Sequence, residues 1–257
     1  MFKVTYRNIL AHKLRLLMTT IAVIAGVSFI TGTYIFTDTI GQAFEDVFKA
    51  LNSKIDILVQ SKTAVSSDRA LPGSDRPLLT PSALDAIKKV NGVAQAEGLV
   101  LGYAQIFDKH NKPLATGFAP TLGTSWITTD SLRAAELKSG HPPIANDEVV
   151  IDATSAKQGK YRVGDLITIQ FPSQRAQLRL AGIVTLAGSN DIAGASYASF
   201  NSQSAQKYLE RNGNFAVIEI SVAKTSNITD TIAAIRQVVP ASVDVIPGNV
   251  AGRQTAN

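Results

Sequence analysis

Residues Leu16–Phe36 form a run of 21 residues without a charged side chain, and this run limits what the chain can fold into. Wound as a helix at ~1.5 Å per residue, it extends about 31 Å, close to the ~30 Å hydrocarbon core of a bilayer. Ten of its residues are Leu, Ile, Val or Phe. Each such residue favours insertion by roughly 0.3–0.6 kcal/mol near a helix centre, which offsets the Thr and Gly between them. Lys3, Arg7, Lys13 and Arg15 precede the run, whereas Asp38, Glu45 and Asp46 follow it. The positive-inside rule then places the N-terminus in the cytoplasm and everything after Thr37 outside. A cleaved signal peptide would have a shorter apolar core and a small-x-small site after it, and Thr33-Tyr34-Ile35-Phe36-Thr37 is a poor one. Residues 16–36 therefore read as a signal anchor that stays in the membrane.

Within the span, Ala22 and Gly26 are four residues apart, as are Ser28 and Gly32. Small residues at that spacing let helices approach closely in lipid, so these four form a candidate helix-packing face. Before the span, Phe2, Tyr6, Ile9 and Leu10 recur at helical spacing among Lys3, Arg7 and Lys13. Residues 1–15 thus read as an amphipathic helix at the cytoplasmic interface, a plain anchor or a contact for a cytoplasmic partner. Arg7, Lys13 and Arg15 are the candidate cytoplasmic-side contacts.

The net charge of +5 resides largely at this end, because without the four N-terminal cations the chain holds 21 basic and 20 acidic residues. No basic stripe interleaved with aromatics is left to contact phosphates, so no nucleic-acid partner is expected. The chain has no cysteine, which excludes disulfides, thiolate catalysis and cysteine metal sites.

Past the membrane, Phe44, Val47, Phe48 and Leu51 fall on one face of a helical stalk over residues 37–54. Ile55–Gln60 reads as a strand, and 61–80 as a loop rich in Ser, Pro and Asp. Pro81 suits a first helical turn capped by Thr80, with Asn91-Gly92 as the stop. Val93–Phe107 follows as strand, then a turn over 108–113 and a strand near Leu114–Phe118. Near the C-terminus, Phe215–Val222, Ile228–Val239 and Val243–Ile246 read as strand, helix and strand. The two strand–helix–strand units pair naturally in one sheet of the split βαβ kind. Between them lies a β-rich insertion, about 121–209, with strands at Asp147–Asp152, Leu166–Phe171 and Leu178–Leu186 and a helix at Ser202–Arg211. The expected class is α+β: one N-terminal transmembrane helix followed by an extracytoplasmic mixed α/β domain over 55–247.

In this order the segments resemble the MacB/FtsX type of ABC-transporter permease. Arg7-Asn8-Ile9-Leu10-Ala11-His12-Lys13-Leu14-Arg15 is similar to that family's lead into its first transmembrane helix. Phe36-Thr37-Asp38-Thr39-Ile40 resembles the start of its outer domain. Gly140-His141-Pro142-Pro143, followed by Glu148-Val149-Val150-Ile151-Asp152, resembles its glycine, proline and EVVID passage. Val163-Gly164-Asp165 and Gly182-Ile183-Val184 resemble its VGD turn and closing GIV strand. The resemblance implies a non-catalytic permease subunit of the cell membrane, with ATP hydrolysis in a separate ATPase subunit. It also implies further transmembrane helices, here beyond the 248–257 tail, so the chain is expected to be the N-terminal portion of a longer permease. Its partners would be the ABC ATPase subunit, the remaining helices or a second permease copy, and the lipid bilayer. The alternative is a single-pass membrane-anchored binding or scaffold protein.

Catalytic chemistry is not legible in the sequence. There is no G-x-x-x-x-G-K-[ST] phosphate loop, and His12, His110 and His141 are too scattered for a metal pair. Gly194-Ala195-Ser196-Tyr197-Ala198 lacks the last glycine of a nucleophile elbow, so a turn entering a strand is expected there. Catalytic, cofactor and metal residues are all expected to be none.

Overall fold

The computed structural model describes residues 13–52, 54–62, 76–114, 121–190 and 194–248. The chain divides into two compact units, Met1–Gln42 and Ala43–Asn257.

Helix α1 runs from Lys13 to Leu51, 39 residues without interruption. Its side chains are exposed from Lys13 to Thr39; Leu17, Ile21, Ile24, Phe29 and Ile35 are each more than half exposed. Lys13–Thr39 is long and apolar enough to cross a membrane. The hydroxyls in this stretch turn back onto the helix. Thr33, Thr37 and Thr39 donate to the carbonyls of Phe29, Thr33 and Ile35 at 2.7–2.9 Å, and Thr19 donates to Arg15 and Leu16. A hydroxyl satisfied by its own helix no longer demands water, which lowers the cost of placing it in hydrocarbon. The amphipathic segment with Arg7 and the side chains of the Phe44–Leu51 face lie outside the described residues.

The second unit contains two sheets. Strands β1 (Ile57–Ser61), β2 (Val93–Leu99), β11 (Val217–Val222) and β12 (Val243–Pro247) form the first, in the order β12-β1-β11-β2. Every neighbouring pair is antiparallel. Helix α2 (Pro81–Lys88) joins β1 to β2, and α5 (Ile228–Val238) joins β11 to β12. This is the split βαβ arrangement that the two strand–helix–strand units predict. Thr80 caps α2, its Oγ1 accepting from Ala83 N at 3.3 Å, and Asn227 caps α5 by accepting from Thr229 N at 2.7 Å. Leu84 and Ile87 of α2, and Ile232 and Ile235 of α5, pack on Ile57, Val59, Ile218, Ile220 and Val245 of the sheet. Burying each such side chain is worth about 1.5–3 kcal/mol.

The second sheet follows the order β3-β5-β10-β7-β9-β8-β4, with β6 also paired to β9. Its members are β3 (Leu101–Tyr103), β4 (Gln105–Ile106), β5 (Thr121–Ser125), β6 (Ala135–Gly140), β7 (Glu148–Asp152), β8 (Leu166–Gln170), β9 (Arg175–Leu186) and β10 (Ser196–Phe200). β3 and β4 stand at opposite ends of that order yet are separated by one residue, Ala104, which is fully buried. The sheet therefore curls until its ends meet at Ala104. Inside the curl, Phe171 stacks on Tyr208 at 4.6 Å and meets Phe200 edge-on at 5.5 Å, among Val149, Ile151, Ile167, Ile169, Leu178 and Leu180. Short helices α3 (Ala153–Gly159) and α4 (Ser202–Tyr208) complete the unit.

Two expectations change. Val93–Phe107 is not one strand: it breaks at Val100 and Ala104, and its pieces serve both sheets. The second sheet thus takes in residues from Leu101, well before position 121. The helix expected to Arg211 ends at Tyr208, and Glu210 then takes a positive φ of 57°. Of the strand near Leu114–Phe118, only Leu114 lies among the described residues, in a bend.

Candidate functional site

The small residues singled out in the span lie in α1, with open space around Gly26 and Gly32. At ~100° per residue, the Ala22/Gly26 pair and the Ser28/Gly32 pair point about 120° apart. They form two narrow approaches rather than the single face expected. Lys13 and Arg15 are exposed in the first turn described.

In the second unit, the segments that carry the family resemblance converge on β9. Gly140 pairs with Gly182 across β6 and β9, where the register shifts between Leu137 and Ser139. A Cβ on Gly140, whose φ is +81°, would lie 2.1 Å from the Ala181 carbonyl oxygen, and one on Gly182 would lie 2.7 Å from the His141 oxygen. Both glycines thus allow two backbones to approach. Gly164 donates its N–H to Leu180 O at 2.8 Å, seating the VGD turn against the same strand.

The carboxylates of these motifs are occupied internally. Glu148 accepts from Ile144 N and Ala145 N at 2.8 and 2.9 Å, closing the Pro142–Asn146 loop. Asp152 is buried at the start of α3, accepting from Ser155 N at 2.7 Å and Tyr197 N at 2.9 Å. Burial pushes its carboxyl above the ordinary range, while the bonds from Ser155 and Tyr197 act against that rise. Asp165 accepts from Lys109 Nζ at 2.8 Å, and that contact holds its pKa below the usual value.

Sequence reasoning missed a second set of groups between the two sheets. Glu219 lies on β11 opposite Glu97 of β2 and Leu58 of β1, and is 4% exposed. It shares its face with Val217, beside Leu58, Leu99, Ile127, Leu132 and Ile246. Burial, and secondly the Glu97 charge, push its pKa up to about 8. Glu97 itself accepts from Thr128 N and Thr129 N at 2.8 and 3.0 Å. Nearby, buried Tyr197 accepts from Thr124 Oγ1 at 3.0 Å, its own pKa raised by burial. Arg133 lies 4.9 Å over the Trp126 ring and bonds the Ala135 and Ile127 carbonyls.

Ser196 opens β10 and is fully buried, so the residue in the failed elbow pattern is a strand residue. Among the described residues there is no group of His, Cys, Asp and Glu that could hold a metal ion.

Among the described residues, one helix long and apolar enough to cross a membrane precedes a split βαβ sheet and a curled β-sheet. The family profile of the MacB-like periplasmic core domain matches residues 16–238, and the chain belongs to that family of ABC-transporter permease domains. Two solved structures share the fold. One is the extracellular domain of the noncanonic ABC-type transporter YknZ from Gram-positive bacteria: 13% identity and TM-score 0.52, over 74% of this chain and 98% of that one. The other is the periplasmic region of MacB from Actinobacillus actinomycetemcomitans: 15% identity and TM-score 0.54, over 80% of this chain and 95% of that one. No curated protein matches the chain.

Proposed function

We propose that the chain is a membrane-spanning permease component whose outer domain is moved by ATP hydrolysis in a separate cytoplasmic ATPase subunit, for export or mechanotransmission. The observation that supports this reading is the uninterrupted α1. At ~1.5 Å per residue its 39 residues extend about 58 Å, roughly twice the ~30 Å hydrocarbon core. In this reading residues 1–15 lie at the cytoplasmic face, 16–36 cross the bilayer and 37–54 continue outward as a stalk to the 55–247 domain. A continuous helix can carry a displacement along its axis. Arg7, Lys13 and Arg15 would meet the ATPase side. The pairs Ala22/Gly26 and Ser28/Gly32 would seat two neighbours, drawn from the remaining permease helices or a second copy.

The test is a flexible Gly-rich insertion near Thr39 in the complete permease. The expected outcome is ATP hydrolysis that continues while transport stops. Transport at the unmodified rate would overturn the lever.

A further inference from the structure

Residues 126–134 join β5 to β6 without a helix or strand of their own, and they cross the face of the first sheet that α2 and α5 leave uncovered. Both ends of this strap are pinned within the second sheet: Trp126 N donates to Phe200 O at 2.7 Å, and Ala134 O accepts from Ala187 N at 3.1 Å. Between the pins the strap is tied to itself. Leu132 N and Arg133 N donate to Thr129 O at 3.0 and 3.1 Å. The Arg133 guanidinium donates to the carbonyls of Ile127, Thr128 and Ala135, bonds Asp130 and lies over the Trp126 ring. A segment closed on itself in this way can move as a body about its two ends.

Its middle is held to the first sheet in two ways. Ile127 and Leu132 pack on Leu58, Leu99, Val217 and Ile246, and Glu97 accepts from Thr128 N and Thr129 N at 2.8 and 3.0 Å. On the same face, directly opposite Glu97, Glu219 is 4% exposed. Among the described residues its carboxyl has no hydrogen-bond partner. The other charged or titratable groups on the surrounding elements are already engaged. Asp56 of β1 accepts from Val222 N at 2.8 Å, and Asp244 of β12 lies 4.0 Å from Lys62. Arg133 and Asp130 of the strap bond each other, and Tyr197 of β10 accepts from Thr124 Oγ1. Glu219 therefore fits here as a neutral acid. Ionised, it would set an uncompensated charge in an apolar layer, beside the like charge of Glu97.

We infer that the strap is a proton-controlled cover: it lies closed on the first sheet while Glu219 is protonated, and lifts when Glu219 ionises, admitting water to the carboxylate and uncovering Leu58, Leu99, Val217 and Ile246. Lifting is the least costly relief, because it gives up two hydrogen bonds and the packing of two side chains. Moving Glu219 itself would disrupt the pairing of β11 with both β1 and β2. Opening hydrates the carboxyl and returns its pKa from about 8 toward the ordinary 4.5. The closed form is thus favoured by acid, and the ratio of open to closed rises about tenfold per pH unit between those values, on the order of a thousandfold in all.

The experiment is amide hydrogen exchange on the full chain in vesicles of zwitterionic lipid, with rates corrected for the intrinsic effect of pH. The Thr128 and Thr129 amides report the strap, and the Asp56 and Ala216 amides, which donate to Ile220 O and Leu99 O, report the first sheet. Protection of the strap should fall about tenfold per pH unit up to pH 8 and be insensitive to low urea, as a local opening is. Asp56 and Ala216 should stay more protected and lose protection in urea. In Glu219→Gln the strap's protection should not vary with pH. Glu97→Ala removes both acceptors, and at pH 5 it should lower strap protection at least about tenfold. Four results would overturn the assignment: strap protection independent of pH in the parent, a slope that persists in Glu219→Gln, strap amides that exchange only together with Asp56 and Ala216, or a Glu97→Ala strap protected as in the parent.

Discussion

Glu219 gives the sharpest test of the second unit's energetics. Its folded pKa of about 8 stands above the ordinary 4.5. Below pH 4.5 the folded and unfolded chains both hold the proton, and the stabilisation is complete. As pH rises past 4.5, the unfolded chain releases it while the folded chain does not, so ionisation favours unfolding. Stability should fall by about 1.4 kcal/mol per pH unit until roughly pH 8, and level off above it. A rise from 4.5 to about 8 makes the whole loss roughly 5 kcal/mol, of which about 3 is incurred by pH 7. Glu219→Gln copies the protonated acid without the titration. The variant should be more stable than the parent by about 3 kcal/mol at pH 7 and match it near pH 4.

The assay is intrinsic to the chain. Trp126 is the sole tryptophan, 7% exposed, so its emission reports unfolding of the second unit in urea. Measured at intervals from pH 4.5 to 8.5, the difference between parent and Glu219→Gln should open steadily with pH. Parallel curves would refute the argument, because they would mean Glu219 ionises in the folded chain as it does in the unfolded one. Glu97→Gln separates the two causes. Burial is the larger and the Glu97 charge the smaller, so that variant should keep most of the slope.

Two further substitutions probe the frame around β9. Gly140→Ala forces a Cβ to within 2.1 Å of a backbone oxygen at φ +81°; it should cost about 3 kcal/mol or more, seen as a lower urea midpoint by Trp126 emission. Asp152→Ala removes the acceptor for Ser155 N and Tyr197 N together. It should cost about 2–4 kcal/mol by the same measurement, since a cap is lost and two N–H groups go unpaired.

Legibility in the sequence followed exposure. Pro81–Lys88 and Ile228–Val238 each bury one stripe and show the rest to water, so their periodicity and caps were readable. The strands around them are apolar, β-branched runs between turn signals, and that composition revealed the split βαβ pairing although Ile57–Ser61 is buried throughout. Thr121–Ser125 and Ser196–Phe200 are buried throughout as well, but their Thr, Ser, Gly and Ala lack that composition. Ser196-Tyr197-Ala198 then looks like turn chemistry instead of strand. Glu219 fails for a related reason. Within Val217-Ile218-Glu219-Ile220 the alternation assigns it to a solvent face, but a second layer covers that face. Nothing local announces the covering layer, so the carboxylate pair had no signal in the sequence.

The motif residues packed around β9 and the outward-facing residues of β8 and β9 divide the work of the sheet between them. Gly140, Gly182, Glu148, Asp152 and Asp165 are committed to backbone approach, loop closure and capping, so altering them damages the frame before any ligand is concerned. Thr168, Arg175, Gln177 and Arg179 face outward. Arg175, Gln177 and Arg179 can change while Leu178 and Leu180 keep the curl packed. The same strands can therefore hold one fold across sequences at 13–15% identity and still present different outer surfaces. A ligand of this chain's second unit should accordingly be sought on outward-facing residues, not at Gly140, Gly182, Glu148, Asp152 or Asp165, which are committed to the frame.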